Sequence, residues 1–194
     1  MIGQIQAKYG TKLMLSLLEG KEKLPPKPPA FDLIRGFIGG TLSILILLLL
    51  SQFSHNPFIM APFGATCVIL YAVAQSPLAQ PRNVIFGHLI SAFVGLAFLK
   101  LFGSSIFVIA LSVGTAIACM QYFQCVHPPA GANPLVILLT ASSIQYEWSF
   151  LIFPVLVGSV SLVLIAYVIN NVKAQTKWPN YGLAIIQKSE NNKM

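Results

Sequence analysis

The sequence predicts an all-α membrane protein with four long transmembrane helices and two short, broken half-helix segments. Of its 194 residues, 56% are hydrophobic and only 9% are charged, whereas about a quarter of the residues of a soluble domain are charged. The middle of the chain is almost free of acid, with no Asp or Glu between Asp32 and Glu147. Apolar segments of helical length alternate with short breaks. A chain of this kind requires lipid as its solvent.

The net charge of +7 raises the question of a nucleic-acid partner. Six of the twelve Lys and Arg residues lie at or before Arg35, and four more lie from Lys173 onward. These positions flank the apolar segments, as membrane topology requires. We therefore expect the lipid bilayer as a partner, and no nucleic acid.

Six apolar segments can be delimited, at residues 34–52, 62–75, 84–102, 105–123, 130–144 and 149–171. A helix needs about 20 residues to cross the hydrocarbon core. The first, third, fourth and sixth segments approach that length. The second and fifth are long enough to cross only about two thirds of the core as helices.

The two short segments open alike, with the runs Pro62–Thr66 (PFGAT) and Pro129–Asn133 (PAGAN). Chance similarity is the alternative, but the match predicts two three-segment repeats, about 34–102 and 105–171. If the short segments cross the membrane, the repeats are inverted; if they are re-entrant, the repeats are parallel. We favour six crossings and inverted repeats, with both termini cytoplasmic or stromal.

The two ends of the chain are polar. Residues 1–33 are predicted to form a cytoplasmic segment, with an amphipathic helix followed by a Pro-rich strap at 24–29. A transmembrane domain is predicted at 34–172, and residues 173–194 are predicted to be a polar cytoplasmic tail.

The broken openings predict an anion site. Prolines interrupt the helix at corresponding places, and a helix that begins there presents free N–H groups and a positive dipole end. Glycine allows close approach of the backbone. The alternative is tight helix packing by small residues, which we assign to other glycines such as Gly39 and Gly95. The predicted substrate-binding residues of the two openings are Gly64, Ala65, Thr66, Gly131, Ala132 and Asn133.

Two further polar residues precede or enter the third segment. Arg82 is either a topogenic charge or a funnel residue that attracts anions to the mouth of the pathway. His88, one turn into the span, either extends that path or is a structural hydrogen-bonding residue. Cys125 and His127 are two residues apart, which does not make a metal site. We expect no cofactor.

The run Val126–Pro134 (VHPPAGANP) resembles the HPP family of integral membrane proteins, whose name comes from the tripeptide at 127–129. The run Ser76–Val84 (SPLAQPRNV) and the pair Gly87-His88 match the same pattern. The resemblance implies a four-span membrane domain with transporter function, and members from cyanobacteria and plastids are implicated in nitrite transport. It adds Asn83 and His127 to the candidate substrate-binding residues. It also implies a bacterial inner membrane or a plastid envelope.

The leading hypothesis is therefore a transporter or channel for small anions, with nitrite first. The alternative is a membrane anchor or sensor subunit that transports nothing. We expect no enzyme, because the sequence has no GxSxG, no HExxH and no paired carboxylates. A chain this small predicts a homo-oligomer.

Overall fold

The computed structural model describes residues 26–54 and 60–185, and those residues form helices and connections with no strand. The prediction of an all-α fold is confirmed. The predicted amphipathic helix and the last nine residues lie outside the described ranges. The α-helices are α1 (Ala30–Ser54), α2 (Ala61–Ala72), α3 (Pro81–Phe102), α4 (Ile106–Tyr122), α5 (Asn133–Thr140) and α6 (Val157–Asn171). The described residues from Phe31 onward belong to one compact unit.

Tighter and wider turns extend two of these helices. A 3-10 turn at Pro128–Ala132 leads into α5. A 3-10 turn at Trp148–Leu151 and a kinked stretch at Ile152–Leu156 lead into α6. The kink lies at Phe153, whose backbone is extended, and the following Pro154 has no N–H for a helical hydrogen bond. A further 3-10 turn, Pro77–Ala79, connects α2 to α3.

Three helical stretches within the described ranges are long and apolar enough to cross a membrane: Ala30–Phe53, Pro81–Phe102 and Trp148–Asn171. The fourth predicted span corresponds to α4, which has only 17 residues. Four long transmembrane helices therefore stay a prediction.

The two short segments are short helices in the structure as well. α2 has 12 residues, and α5 has 8 because the 3-10 turn takes up the start of its segment. The third segment begins earlier than predicted, at Pro81, since proline is well suited to the first turn of a helix.

Helix α3 is central. It packs against α4, α5, α6 and the 3-10 turn at Pro128–Ala132. In the most apolar 18-residue stretch of α3, 44% is buried inside the protein. The corresponding share in α1 is 17%, so most of its apolar surface is free to face lipid. A Cβ at Gly95 would lie 2.9 Å from Cα of Pro134, so the missing side chain lets α5 approach α3 closely. The assignment of Gly95 to helix packing agrees with this contact.

Contacts at the two ends of α3 show how the chain runs. At its first turn, Arg82 donates to the carbonyl oxygens of Phe123 and Leu183, just after α4 and after α6. At its far end, about 33 Å away, the Lys100 ammonium lies 3.2 Å from Glu147. Beyond that end, Ser104 donates to the carbonyl oxygen of Leu138 on α5 at 2.7 Å. Residues 125–140 therefore run alongside α3 in the same direction as α3, and antiparallel to α4. Inverted repeats and the number of crossings stay predictions.

Candidate functional site

Four polar side chains meet beside α3, about 10 Å along it from Pro81. Thr66 comes from α2, His88 from α3, His127 from the residue before the 3-10 turn, and Asn133 from the first position of α5. The relative exposure of each is 0%. We call Thr66, His88, His127 and Asn133 the polar cluster.

Hydrogen bonds join the members of the polar cluster in a row. Asn133 Nδ2 lies 3.2 Å from His88 Nδ1. His88 Nε2 lies 2.8 Å from Thr66 Oγ1, and His127 Nε2 lies 3.0 Å from the same hydroxyl. His127 Nδ1 lies 2.8 Å from the carbonyl oxygen of Leu78. One hydroxyl thus stands between two imidazoles.

The backbone determines the tautomer of both histidines. The carbonyl oxygen of Leu78 only accepts hydrogen bonds, so His127 Nδ1 carries a proton. Asn133 donates its amide to the carbonyl oxygen of His88 at 3.0 Å, which orients its NH2 group towards His88 Nδ1. His88 Nδ1 therefore accepts, and His88 Nε2 donates to Thr66. His88 is therefore neutral in this arrangement.

Tight packing holds the polar cluster together. The rings of Phe63 and His88 pack in a T-shaped pair with centroids 5.0 Å apart. A Cβ at Gly87 would lie 2.7 Å from Cβ of His127 and 3.0 Å from the carbonyl oxygen of Cys125. Only glycine therefore lets the segment that bears His127 lie so close to α3.

One atom of the polar cluster lacks a partner. Asn133 Oδ1 is buried and has no hydrogen bond to any described residue. An unsatisfied buried acceptor costs about 1–3 kcal/mol. It can accept a hydrogen bond from a bound water or from a ligand.

Arg82 and Asn83 lie outside the polar cluster. The guanidinium of Arg82 donates to four carbonyl oxygens, two on the segment after α4 and two on the C-terminal segment. Asn83 donates to the carbonyl oxygen of Val126 and accepts from the Tyr181 hydroxyl. Both residues tie separate parts of the chain to the start of α3.

An open cleft of about 530 Å³ lies at this end of the protein. It is lined by Arg82, Gln124, Tyr181, Ala184 and Ile185. Burial raises the pKa of the Tyr181 phenol, and the charge of Arg82 opposes that change. The cleft is where a funnel role for Arg82 would act, and that role stays a prediction.

Changing Arg82 to lysine should release the C-terminal segment while keeping the charge. A lysine ammonium is a single point donor and does not reproduce the planar fork that reaches both segments. We expect amide hydrogen exchange in residues 180–185 to accelerate by roughly tenfold, since the bonds of Arg82 are worth about 1.5 kcal/mol in total at this half-exposed site. Arg35→Lys is the control, because Arg35 pairs locally with Asp32 within α1. Unchanged exchange in Arg82→Lys would contradict this role.

The other predicted site residues are not brought into the polar cluster. Gly64 and Ala65 are exposed, and Gly131 and Ala132 are half-buried. A Cβ at Gly64 or Gly131 would meet no described atom within 4 Å. Close contacts between elements occur at Gly87 and Gly95, and the role of Gly64 and Gly131 in an anion site stays a prediction.

Sequence reasoning missed several contributors to the site. The carbonyl oxygens of Leu78 and Pro62 bind the polar cluster, and Phe63 packs on it. Backbone carbonyls leave no mark in a sequence. The small residue directly before His88 was a usable signal for close packing at Gly87. In the described ranges, no three His, Cys, Asp or Glu side chains are placed to hold a metal ion.

The fold and site define an integral membrane protein whose apolar helices enclose a buried cluster of polar side chains. A family model described as "HPP, transmembrane region" matches residues 25–179. The chain therefore belongs to the HPP family, as its His-Pro-Pro motif predicted.

Two curated relatives from Dictyostelium discoideum are each described as a transmembrane protein. One is 30% identical over 169 residues, which cover 83% of this chain and 54% of the relative. The other is 32% identical over 170 residues, which cover 84% of this chain and 60% of the relative. The chain thus spans somewhat more than half the length of these relatives. No solved structure matches it.

Proposed function

We propose that this protein moves small inorganic anions across its membrane, with nitrite as the first candidate substrate. The observation that carries the proposal is the polar cluster itself. It places two imidazoles, a hydroxyl and an amide, all fully buried, where two short helices begin beside a long apolar one.

A purely structural role accounts poorly for this cluster. Helices in a membrane pack well through small residues, as α3 and α5 do at Gly95. Polar groups in the membrane interior are costly, and they mark substrate or ion pathways. Interrupted helices at that depth are tolerated inside protein or beside a water-filled cavity. An anchor that transports nothing needs neither feature.

The charge pattern favours anions over cations. A cation pathway usually relies on buried carboxylates, and the sequence has no Asp or Glu from residue 33 to residue 146. α5 begins at Asn133, within the polar cluster, so the positive end of its dipole would favour an anion there. Nitrite is preferred because members of the HPP family are implicated in its transport.

The free protein has few spare donors for such an anion. The amide of Asn133 already donates to His88, and Thr66 lies between the two histidines. A substrate that enters the polar cluster must therefore exchange places with an existing hydrogen bond. The unpartnered Asn133 Oδ1 would accept from water that accompanies the substrate or from its protonated form.

The proposal is tested by nitrite uptake into proteoliposomes that contain the purified protein. We expect uptake that saturates with nitrite concentration and exceeds the leak of protein-free vesicles. Nitrate, formate and chloride serve as competitors that report selectivity. If none of these anions moves under a pH gradient or a membrane potential, the transport proposal is wrong and the anchor hypothesis is favoured.

We also propose a homo-oligomer in a bacterial inner membrane or a plastid envelope, with both termini on the cytoplasmic or stromal side. Several side chains on α4 are strongly exposed, among them Ile106 at 83% and Phe107 at 80%. Lipid or a second copy would cover them. Light scattering of the detergent-purified protein measures the number of copies, and a strict monomer would contradict this proposal.

A further inference from the structure

We infer that His127 is a proton-loading site that takes up one proton together with each anion. The inference rests on the proposed anion transport and adds its coupling ion. It is carried by the arrangement of hydrogen-bond partners around the Thr66 hydroxyl.

The Thr66 hydroxyl has three partners and one proton to donate. Its oxygen lies 2.8 Å from His88 Nε2, 3.0 Å from His127 Nε2 and 3.1 Å from the carbonyl oxygen of Pro62. When His127 is neutral, its Nε2 is an acceptor, and the hydroxyl must donate to it. When His127 is protonated, its Nε2–H donates to the hydroxyl, which turns its own proton to Pro62. Rotation of one hydroxyl thus satisfies both protonation states.

The proton step is balanced. A hydronium ion gives its proton to His127 Nε2, an N–H bond forms, an O–H bond of hydronium breaks, and a water molecule leaves. The Nδ1–H bond to the carbonyl oxygen of Leu78 is unchanged. The product is an imidazolium with both of its N–H groups donating to oxygen.

His88 does not accept the proton in the same way. Its Nδ1 faces the NH2 group of Asn133. A proton added to Nδ1 would therefore place two N–H donors against each other, with no acceptor between them. Turning the Asn133 amide over would instead direct its oxygen towards the carbonyl oxygen of His88, 3.0 Å away. His88 therefore stays neutral and orients the Thr66 hydroxyl.

Charge balance links the proton to the anion. A lone buried imidazolium is costly, and a lone buried anion is equally so. The titratable groups nearest to His127 are His88 on α3, whose ring centroid lies 5.1 Å away, and Cys125, two residues earlier in its own segment. Arg82 and Tyr181 are bonded further along that segment and to the start of α3. The sequence supplies no acid between Asp32 and Glu147 to neutralise the charge. An anion that enters with the proton neutralises the charge instead.

The experiment measures proton uptake with a pH dye sealed inside the proteoliposomes of the uptake assay, which contain no nitrite at the start. An inward nitrite gradient is imposed at equal pH on both sides, and the acidification of protein-free vesicles is subtracted. We expect wild type to move about one proton per nitrite. Thr66→Val keeps the shape but removes the hydroxyl, so coupled proton uptake should fall by at least about tenfold, the value of one hydrogen bond to a charged group. Thr66→Ser should restore it.

Thr140→Val is the matched control, because this substitution removes a comparable hydroxyl contact, the one with Tyr146, away from the polar cluster. Its proton uptake should equal that of wild type. Nitrite flux in wild type without proton movement would overturn the inference and leave the proposed function standing. Coupling that persists in Thr66→Val would overturn it as well. Absence of both fluxes would count against the proposed function.

A second measurement uses only the wild-type protein and requires no transport. Nitrogen-15 spectra of the histidines in wild type should show His88 as the Nε2–H tautomer throughout a titration. His127 should change from the Nδ1–H tautomer to imidazolium as the pH falls. A protonated His88 beside a neutral His127 would overturn the assignment.

Discussion

Replacing Asn133 by aspartate should reduce nitrite uptake by about a hundredfold. The change exchanges an NH2 group for a carboxylate oxygen while leaving the shape of the side chain almost unaltered. The new negative charge lies in a fully buried position beside His88. At about 5 Å from a bound anion, it would repel that anion by roughly 3 kcal/mol at an effective dielectric constant of 20, which corresponds to about two powers of ten.

The alternative state of that variant is equally unfavourable for transport. If His88 takes a proton to pair with the new carboxylate, the pair is neutral and fixed, and it no longer responds to substrate. Uptake per folded protein, measured in proteoliposomes, should fall in either case. Asn170→Asp is the matched control: Asn170 on α6 is 3% exposed, donates to the carbonyl oxygen of Leu70, and also has an unpartnered Oδ1. Asn133→Asp with normal uptake would show that the polar cluster is not on the pathway.

Replacing Gly87 by alanine should impair both stability and transport. The added Cβ would lie 2.7 Å from Cβ of His127 and 3.0 Å from the carbonyl oxygen of Cys125. Neither atom is at the end of a flexible side chain, so the backbone around residues 125–127 must move. Overpacking of this kind costs about 1–3 kcal/mol. The same movement stretches the bonds from His127 to Thr66 and to Leu78, and we expect at least about a tenfold loss of uptake.

The matched control is Gly114→Ala on α4, where an added Cβ meets no described atom within 4 Å. Alanine favours helix over glycine by up to about 1 kcal/mol, so this variant should be as stable as wild type or slightly more so. Thermal unfolding in detergent gives the stability, and nitrite uptake gives the function. A Gly87→Ala protein that melts and transports like wild type would mean that the contact with His127 is unimportant.

Much of the fold followed from apolar segment length. The six segments became helices because each run is apolar and carries at most one charged residue, near one end, and a membrane leaves the backbone few alternatives to helix. The two segments that were too short to span remained short helices, and the prolines that begin them explain why. The observed ends of the helices differ from the predicted ends by a few residues. The third helix begins earlier, at Pro81, and a 3-10 turn at Pro128–Ala132 forms the start of the fifth segment.

The site was predicted only in part. Thr66, His88 and Asn133 were among the candidates because polar residues in apolar surroundings stand out, and the family resemblance added His127. The sequence did not indicate that they touch, since Thr66 and His127 are 61 positions apart. It assigned Gly95 to close helix packing, which agrees with the structure, but gave no such role to Gly87.

By itself, then, the sequence determined that this is a helical membrane protein of the HPP family with an acid-free interior, because composition and segment length decide which solvent the chain can occupy. Tertiary structure alone decided which polar groups pair. Hydrogen-bond partners depend on where helices cross and on backbone carbonyls such as those of Leu78 and Pro62, which any residue would supply. For the same reason, only the folded chain shows that one threonine hydroxyl stands between two histidines.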